Sequence, residues 1–194
     1  MDEMALIQQA RQGRIEAFNT LVLAHQARVY NLAYRLLGEP DPAADATQET
    51  FIAAYNNLHQ FHEGSFVAWL MRIATNACYD ELRRRQRRPT LSLDQPDTEI
   101  QWISPAESPE NAAQRAELSR AIQACLDALP IDQRTAAVLC DVHGHDYQEI
   151  ATITGASLGT VKSRISRARE RLRACLRSAE ELLPDAYRLN QKKP

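Results

Sequence analysis

The chain has 194 residues, room for one domain or two small ones, and 44% apolar with 25% charged residues, a balance that suits compact cores in water. It has no run of roughly 18 apolar residues able to span a membrane, and its opening stretch MDEMALIQQARQGRIEAF lacks the charged, apolar, cleavable order of a signal peptide, so the expectation is a cytoplasmic protein with no membrane insertion. Net charge −2 and a pI near 6.2 exclude a uniformly basic protein, yet the charge is segregated: residues 81–88 carry +4, 162–177 carry +6, and 94–117 between them carry −5.

Taken in order, the elements are helical. Val29, Leu32, Ala33 and Leu36 recur at i, i+3, i+4, i+7, and Phe66, Leu70, Ile73 and Ala77 at a similar spacing. Residues 3–88 therefore read as four helices, broken at Gly13, at 38–42 (Gly-Glu-Pro-Asp-Pro) and at 62–65 (His-Glu-Gly-Ser). From Pro89 to Asn111 the pattern is lost, and Pro89, Pro96, Pro105 and Pro109 stand among serines and acids, a composition that cannot continue a helix and buries little.

Helical order resumes with Leu118, Ala121, Ile122, Cys125, Leu126 and Leu129. A second helix follows Pro130, and two more flank Gly155. The expected fold is all-α: two small helical domains joined by a Pro- and acid-rich linker, the C-terminal one containing a helix-turn-helix. The divisions are 1–88, a linker 89–111, 112–177 and a tail 178–194. The four cysteines lie far apart with no C-x-x-C pair. Each sits in a helical pattern beside small or apolar residues, so they are expected as free small hydrophobes without a disulfide framework.

The densest signal is DYQEIATITGASLGTVKSRISRARERLR, residues 146–173. Asp146 with Glu149 fits a capping box, Gly155 permits a tight turn, and Ser157 fits the N-cap of a long second helix. On a wheel at about 100° per residue, Val161, Ile165, Ala168 and Leu172 form the inward stripe. Lys162, Ser163, Ser166 and Arg167 face away near the helix start, where a recognition helix meets base edges. Arg164, Arg169, Arg171 and Arg173 flank that face and suit phosphates. An amphipathic surface helix with a solvated arginine face is the bland alternative, disfavoured by the caps and the glycine turn.

A second pattern runs from Phe66 to Arg85. With Phe66, Leu70, Ile73 and Ala77 inward, Trp69, Arg72, Asn76, Tyr79 and Arg83 share an adjoining stripe. Arginines interleaved with rings and an amide can hold unpaired nucleic acid. The preceding loop at 59–65, with His59, Phe61 and His62, could cup one unstacked base. Trp69 fits the edge of the core as well as it fits base stacking, and Asp80 could pair with Arg83 or Arg84.

At these residues the sequence resembles the sigma-70 superfamily, specifically its extracytoplasmic-function (ECF) group, over nearly the whole chain. DATQETFIAAYNNL (45–58) resembles the segment that docks on polymerase, FVAWLMRIATNACYDELRRR (66–85) the promoter −10 segment, and residues 129–172 the −35-binding domain. The resemblance implies that Asp45, Gln48 and Glu49, with Phe51 nearby, contact core RNA polymerase. It sets Asn76 and the 59–65 loop against the −10 non-template strand, and Thr160, Lys162, Ser163, Arg164, Ser166 and Arg167 at the −35 duplex. Implied partners are core RNA polymerase, promoter DNA and an inhibitory anti-sigma factor; no cofactor and no catalysis are implied.

Two features depart from the family. The −10 loop HQFHEGS is short, and the turn CDVHGHD carries Cys140, His143 and His145. That trio could hold zinc or sense redox state, though a fourth ligand is not evident; an ordinary turn between helices is the plainer reading. Competing readings are a stand-alone helix-turn-helix regulator, which leaves Trp69, Asn76 and residues 45–58 without purpose, and a small metalloenzyme built on the same trio, for which no nucleophile or paired-carboxylate motif is present.

Overall fold

A computed structural model describes residues 2–62, 64–87 and 109–177, with side chains of the last stretch from Arg115 onward. The linker expected at 89–111 lies outside the described residues up to 108, as do Glu63, Arg88 and the tail at 178–194. Among the described residues there is no strand. The first unit holds α1 (Glu3–Arg11), α2 (Ile15–Leu37), α3 (Pro40–Asn56), a 3-10 turn (Leu58–Gln60) and α4 (Phe66–Arg87). The second holds α5 (Pro109–Asp127), α6 (Ile131–Ala137) running on as a π turn (Val138–Val142), α7 (Tyr147–Thr154) and α8 (Leu158–Leu176).

Helix ends follow local chemistry. Asp2 accepts a hydrogen bond from the Met4 amide at 3.1 Å and caps α1. The glycine-proline run after α2 ends one helix and begins another: Gly38 takes φ 78°, where any Cβ is strained, and Pro40 opens α3, where its missing N–H costs nothing. Pro109 does the same for α5, so helix begins inside the span read from sequence as linker.

Leu21, Val29, Leu32 and Leu36 of α2 meet Leu70, Met71, Ala74 and Cys78 of α4, all buried. Ala43, Ala46 and Ala54 give α3 a small-residue face against them. Each buried leucine contributes about 2 kcal/mol of transfer free energy, and Leu70→Ala would cost roughly 2–5 kcal/mol. Cys78, fully buried, behaves as the expected small hydrophobe; burial pushes its thiol up to about 12.

The other cysteine expectation is corrected. Cys125 of α5 and Cys175 of α8 form a disulfide with Cα atoms 5.8 Å apart, closing a loop of sequence separation 50. In chain-entropy terms such a closure is worth about 4 kcal/mol. Side-by-side packing of α5 and α8 brings the two together, a neighbourhood that spacing along the chain does not disclose.

The two units are packed on one another. Arg134 of α6, only 8% exposed, donates from Nη1 to the Leu36 carbonyl at 2.7 Å and to Asp127 Oδ1 at 2.8 Å. Arg28 donates to the His143 carbonyl at 2.6 Å, Arg35 to Gln123 Oε1 at 3.2 Å, and the Tyr79 hydroxyl to Thr135 Oγ1 at 3.0 Å. Four of these bonds pair polar groups of one unit with those of the other.

Candidate nucleic-acid interface

The tri-part element α7, turn, α8 is built as its caps dictate. Asp146 accepts from the Gln148 and Glu149 amides, and Glu149 returns the bond to the Asp146 amide at 3.2 Å, completing the capping box. Gly155 takes φ 65° at the turn. Ser157 Oγ accepts from the Thr160 amide and starts α8. Ile150, Ala151 and Ile153 of α7 and Val161, Ile165 and Ala168 of α8 are buried, which fixes the rotation of α8 about its axis.

Lys162, Ser163, Ser166 and Arg167 are therefore exposed together on the outer face. Thr160 is half-buried, its hydroxyl 2.8 Å from Ser157 Oγ. Arg164 stands apart from the open face: its Nε lies 2.9 Å from Asp132 Oδ2. Arg169 is likewise engaged, donating to both carboxylate oxygens of Asp141, and that contact raises its pKa further. A groove of about 420 Å3 runs between Tyr147 and α8, lined there by Lys162, Ile165, Ser166, Arg169, Arg173 and one acid, Glu170. A phosphate backbone laid there would meet cations on one wall.

On α4, Arg72, Asn76 and Arg83 are exposed. Arg83 bonds Asp80 at 3.0 Å on the surface, a pair of little energetic weight, so it remains available to a phosphate. Trp69 is half-buried, its ring 5.5 Å from Phe61 and 5.6 Å from Phe66. Phe61 itself is 3% exposed; it shapes the loop from beneath, and as placed it presents no surface to DNA. Tyr79 is drawn away by its bond to Thr135, and burial raises its phenol pKa.

His59 and His62 are exposed on the loop. Sequence reasoning missed what holds that loop. Arg11, at the end of α1, donates to the Leu58 carbonyl at 3.1 Å and the His59 carbonyl at 2.9 Å, with His62 Nδ1 at 3.5 Å. No periodic signal marks Arg11, because its partners lie 47 to 51 residues on.

On α3, Asp45, Gln48 and Glu49 are exposed. Phe51 points inward at 9% exposure, whereas Ile52, on the same face as Gln48 and Glu49 by helical spacing, is 63% exposed, with Tyr55 beside it at 39%. Ile52 and Tyr55 thus place apolar surface beside the acid and amide side chains of α3. Phe51, not Ile52, was named from the sequence, although the i+3/i+4 spacing from Gln48 and Glu49 could have found Ile52.

Cys140, His143 and His145 do not converge: among the described residues no three His, Cys, Asp or Glu side chains are placed to hold a metal ion. Cys140 Sγ lies 3.6 Å from Arg169 Nη2, and His145 Nδ1 3.0 Å from Glu149. His143 is pulled from 6.5 down to about 4 by burial, aided by the Arg28 and His145 charges. No helix among the described residues is long and apolar enough to cross a membrane.

Known proteins converge on the same two units. Residues 21–88 match Sigma-70 region 2, and residues 119–172 match Sigma-70, region 4. The ECF RNA polymerase sigma factor SigE of Mycolicibacterium smegmatis is 42% identical over 162 residues, 84% of this chain and 62% of that protein, so the chain spans less than two thirds of that relative. The RNA polymerase sigma-H factor of Pseudomonas aeruginosa is 37% identical over 87% of this chain and 90% of its own. Among solved structures, CnrH in complex with the cytosolic domain of CnrY superposes with TM-score 0.67 at 31% identity, covering 90% of this chain and 96% of that one. The sigma factor RpoE of Bartonella quintana, in complex with the anti-sigma factor NepR, gives 0.66 at 29% identity, covering 82% and 96%.

Proposed function

The chain belongs to the ECF sigma factors of the sigma-70 superfamily, and from that premise we propose a division of labour among its surfaces. The exposed face of α3 (Asp45, Gln48, Glu49 and Ile52) docks on core RNA polymerase. The outer face of α8 reads the −35 duplex through Lys162, Ser163, Ser166 and Arg167, with Thr160 and Arg164 at its margin. Arg72, Asn76 and Arg83 of α4, with Trp69 and the His59–His62 loop, receive unpaired −10 strand. The protein acts as a specificity factor and not as an enzyme, and works in the cytoplasm beside the polymerase.

The observation that carries this reading is the rotation of α8. Its buried stripe leaves the capped start of the helix outward with a lysine, an arginine and two hydroxyls on one face, the arrangement that base-edge recognition in a major groove requires. A stand-alone helix-turn-helix regulator would account for α7 and α8 but leave the α3 face and the Arg11-held loop idle. Run-off transcription with purified core polymerase decides: transcripts that depend on this protein support the reading, and their absence with every promoter tried refutes it.

Promoter use also demands a change of shape. Elements centred about 25 base pairs apart lie on the order of 85 Å apart along B-DNA at ~3.4 Å per step. Units joined by a 2.7 Å bond from Arg134 to Leu36 cannot address both at once, so they part on holoenzyme formation. The solved relatives CnrH and RpoE are each held by a partner; an anti-sigma protein that keeps this chain closed is the corresponding inhibitor, testable by co-purification of the two with loss of core binding.

A further inference from the structure

Support for the recognition helix thins out along its length. Val161, Ile165 and Ala168 are its buried residues; beyond them Leu172, Cys175 and Leu176 are half-buried, and Arg171, Arg173 and Arg177 are exposed. The distal turns that carry those arginines are tied covalently to α5 through Cys175 and Cys125. Helix α5 is itself anchored, since Gln123 is 6% exposed and bonded to Arg35, and Asp127 is bonded to Arg134.

The pair also differs from the other two cysteines. Cys78 is sealed in the first core, and Cys140 is free in a separate cluster with Asp141 and Arg169. Cys125 is 4% exposed while Cys175 is half-buried near the helix end, so Cys175 is the sulfur a small molecule meets first. A compartment that holds RNA polymerase keeps thiols largely reduced, and disulfides there are mostly transient, catalytic or sensing.

We propose that Cys125 and Cys175 are a reversible redox-modification site, closed by low-molecular-weight disulfides, that anchors the distal half of the recognition helix to α5. Closure proceeds by exchange. The Cys175 thiolate, having given its proton to solvent, attacks one sulfur of RSSR, forming Cys175–S–S–R and expelling RS⁻. The Cys125 thiolate then attacks the Cys175 sulfur and expels the second RS⁻. Both thiolates take up the two protons, so the protein is oxidised by two electrons and RSSR is reduced to two RSH. Oxidation fixes the distal arginines in position before DNA arrives; reduction frees the last turns of α8 to fray and weakens the phosphate grip. The consequence for DNA rests on the promoter reading above, whereas the thiol chemistry does not.

The test uses the full chain equilibrated in reduced or oxidised glutathione. Thiols are trapped by alkylation under denaturing conditions and counted by mass spectrometry, and affinity for a −35 duplex is read by fluorescence anisotropy. Expected are loss of two alkylation sites, mapped to Cys125 and Cys175 and restored by dithiothreitol, and about three- to ten-fold tighter duplex binding when oxidised, the gain from ordering a helix end in advance. Cys175→Ser, at the less buried position, should bind with the reduced affinity in both buffers, and Cys125→Ser should agree if circular dichroism shows it folded. Full alkylation of both residues in oxidised glutathione overturns the proposal, as does equal affinity in the two states. Should neither state bind the duplex nor stimulate core polymerase, the promoter reading fails, and the alkylation count alone decides the redox site.

Discussion

Arg134 of α6 donates to the carbonyl of Leu36, 2.7 Å away and 98 residues earlier, at the C-terminal end of α2. A guanidinium set there satisfies a carbonyl that the helix cannot and meets the negative end of its dipole. Its Nη2 also donates to the Asp127 carbonyl at 2.6 Å. Burial lowers its pKa, with the Asp127 charge opposing the shift.

Arg134→Ala should therefore loosen the contact between the units. Removing the donor strands the Leu36 carbonyl and weakens the closed form by ~1–3 kcal/mol. Small-angle scattering of the free protein should show a larger radius of gyration, with helix content by circular dichroism preserved. An unchanged radius would mean that the remaining bonds, Arg28 to His143, Arg35 to Gln123 and Tyr79 to Thr135, suffice on their own.

How far the sequence reached can be judged from particular residues. The inward stripe Val161, Ile165, Ala168 and the Asp146–Glu149 capping box stand as read, because helical period and capping chemistry are local. Pro109 was counted as linker because the acidic composition around it masks a proline that suits a helix start. Arg134, Arg11 and the Cys125–Cys175 bond were out of reach. Each depends on which helices become neighbours, and periodicity tells which face is buried, not against what. Phe61 shows the same limit: in a loop it reads as an exposed ring, while the structure folds it onto Phe66 and Trp69.

Ile52→Asp should uncouple docking from DNA reading. The side chain is 63% exposed, and surface changes of this kind move stability by about 0.5 kcal/mol or less, so the fold should survive. Affinity for core polymerase should fall at least about ten-fold, as expected for loss of an apolar anchor, while −35 duplex binding stays unchanged. Glu49→Ala should act in the same direction. Core affinity equal to the parent protein's would move the docking surface off α3.

Lys162→Ala should cost ~1–3 kcal/mol on the cognate −35 duplex if the lysine reads a base. Arg171→Ala, farther along α8, should instead weaken binding to all sequences alike and lower the salt dependence. Fluorescence titrations on cognate and scrambled duplexes at two salt concentrations separate the roles. Equal losses on both duplexes for Lys162→Ala would make it a phosphate contact.

Acid should open or unfold the protein through His143. Its imidazole is held at about 4 in the folded chain against 6.5 when free, by burial first and then by the Arg28 and His145 charges. Folding thus favours the neutral ring. The stabilisation is complete above pH 6.5, where both states are neutral, and declines as pH falls from 6.5 toward 4, because only the unfolded or opened chain takes up the proton. The slope is at most ~1.4 kcal/mol per pH unit. Urea midpoints measured from pH 7.5 to 4.5 should fall across that window, and His143→Gln should flatten the decline, since glutamine carries no titrating proton while still offering its backbone carbonyl to Arg28. A decline as steep in His143→Gln as in the parent protein would assign the acid sensitivity to other groups.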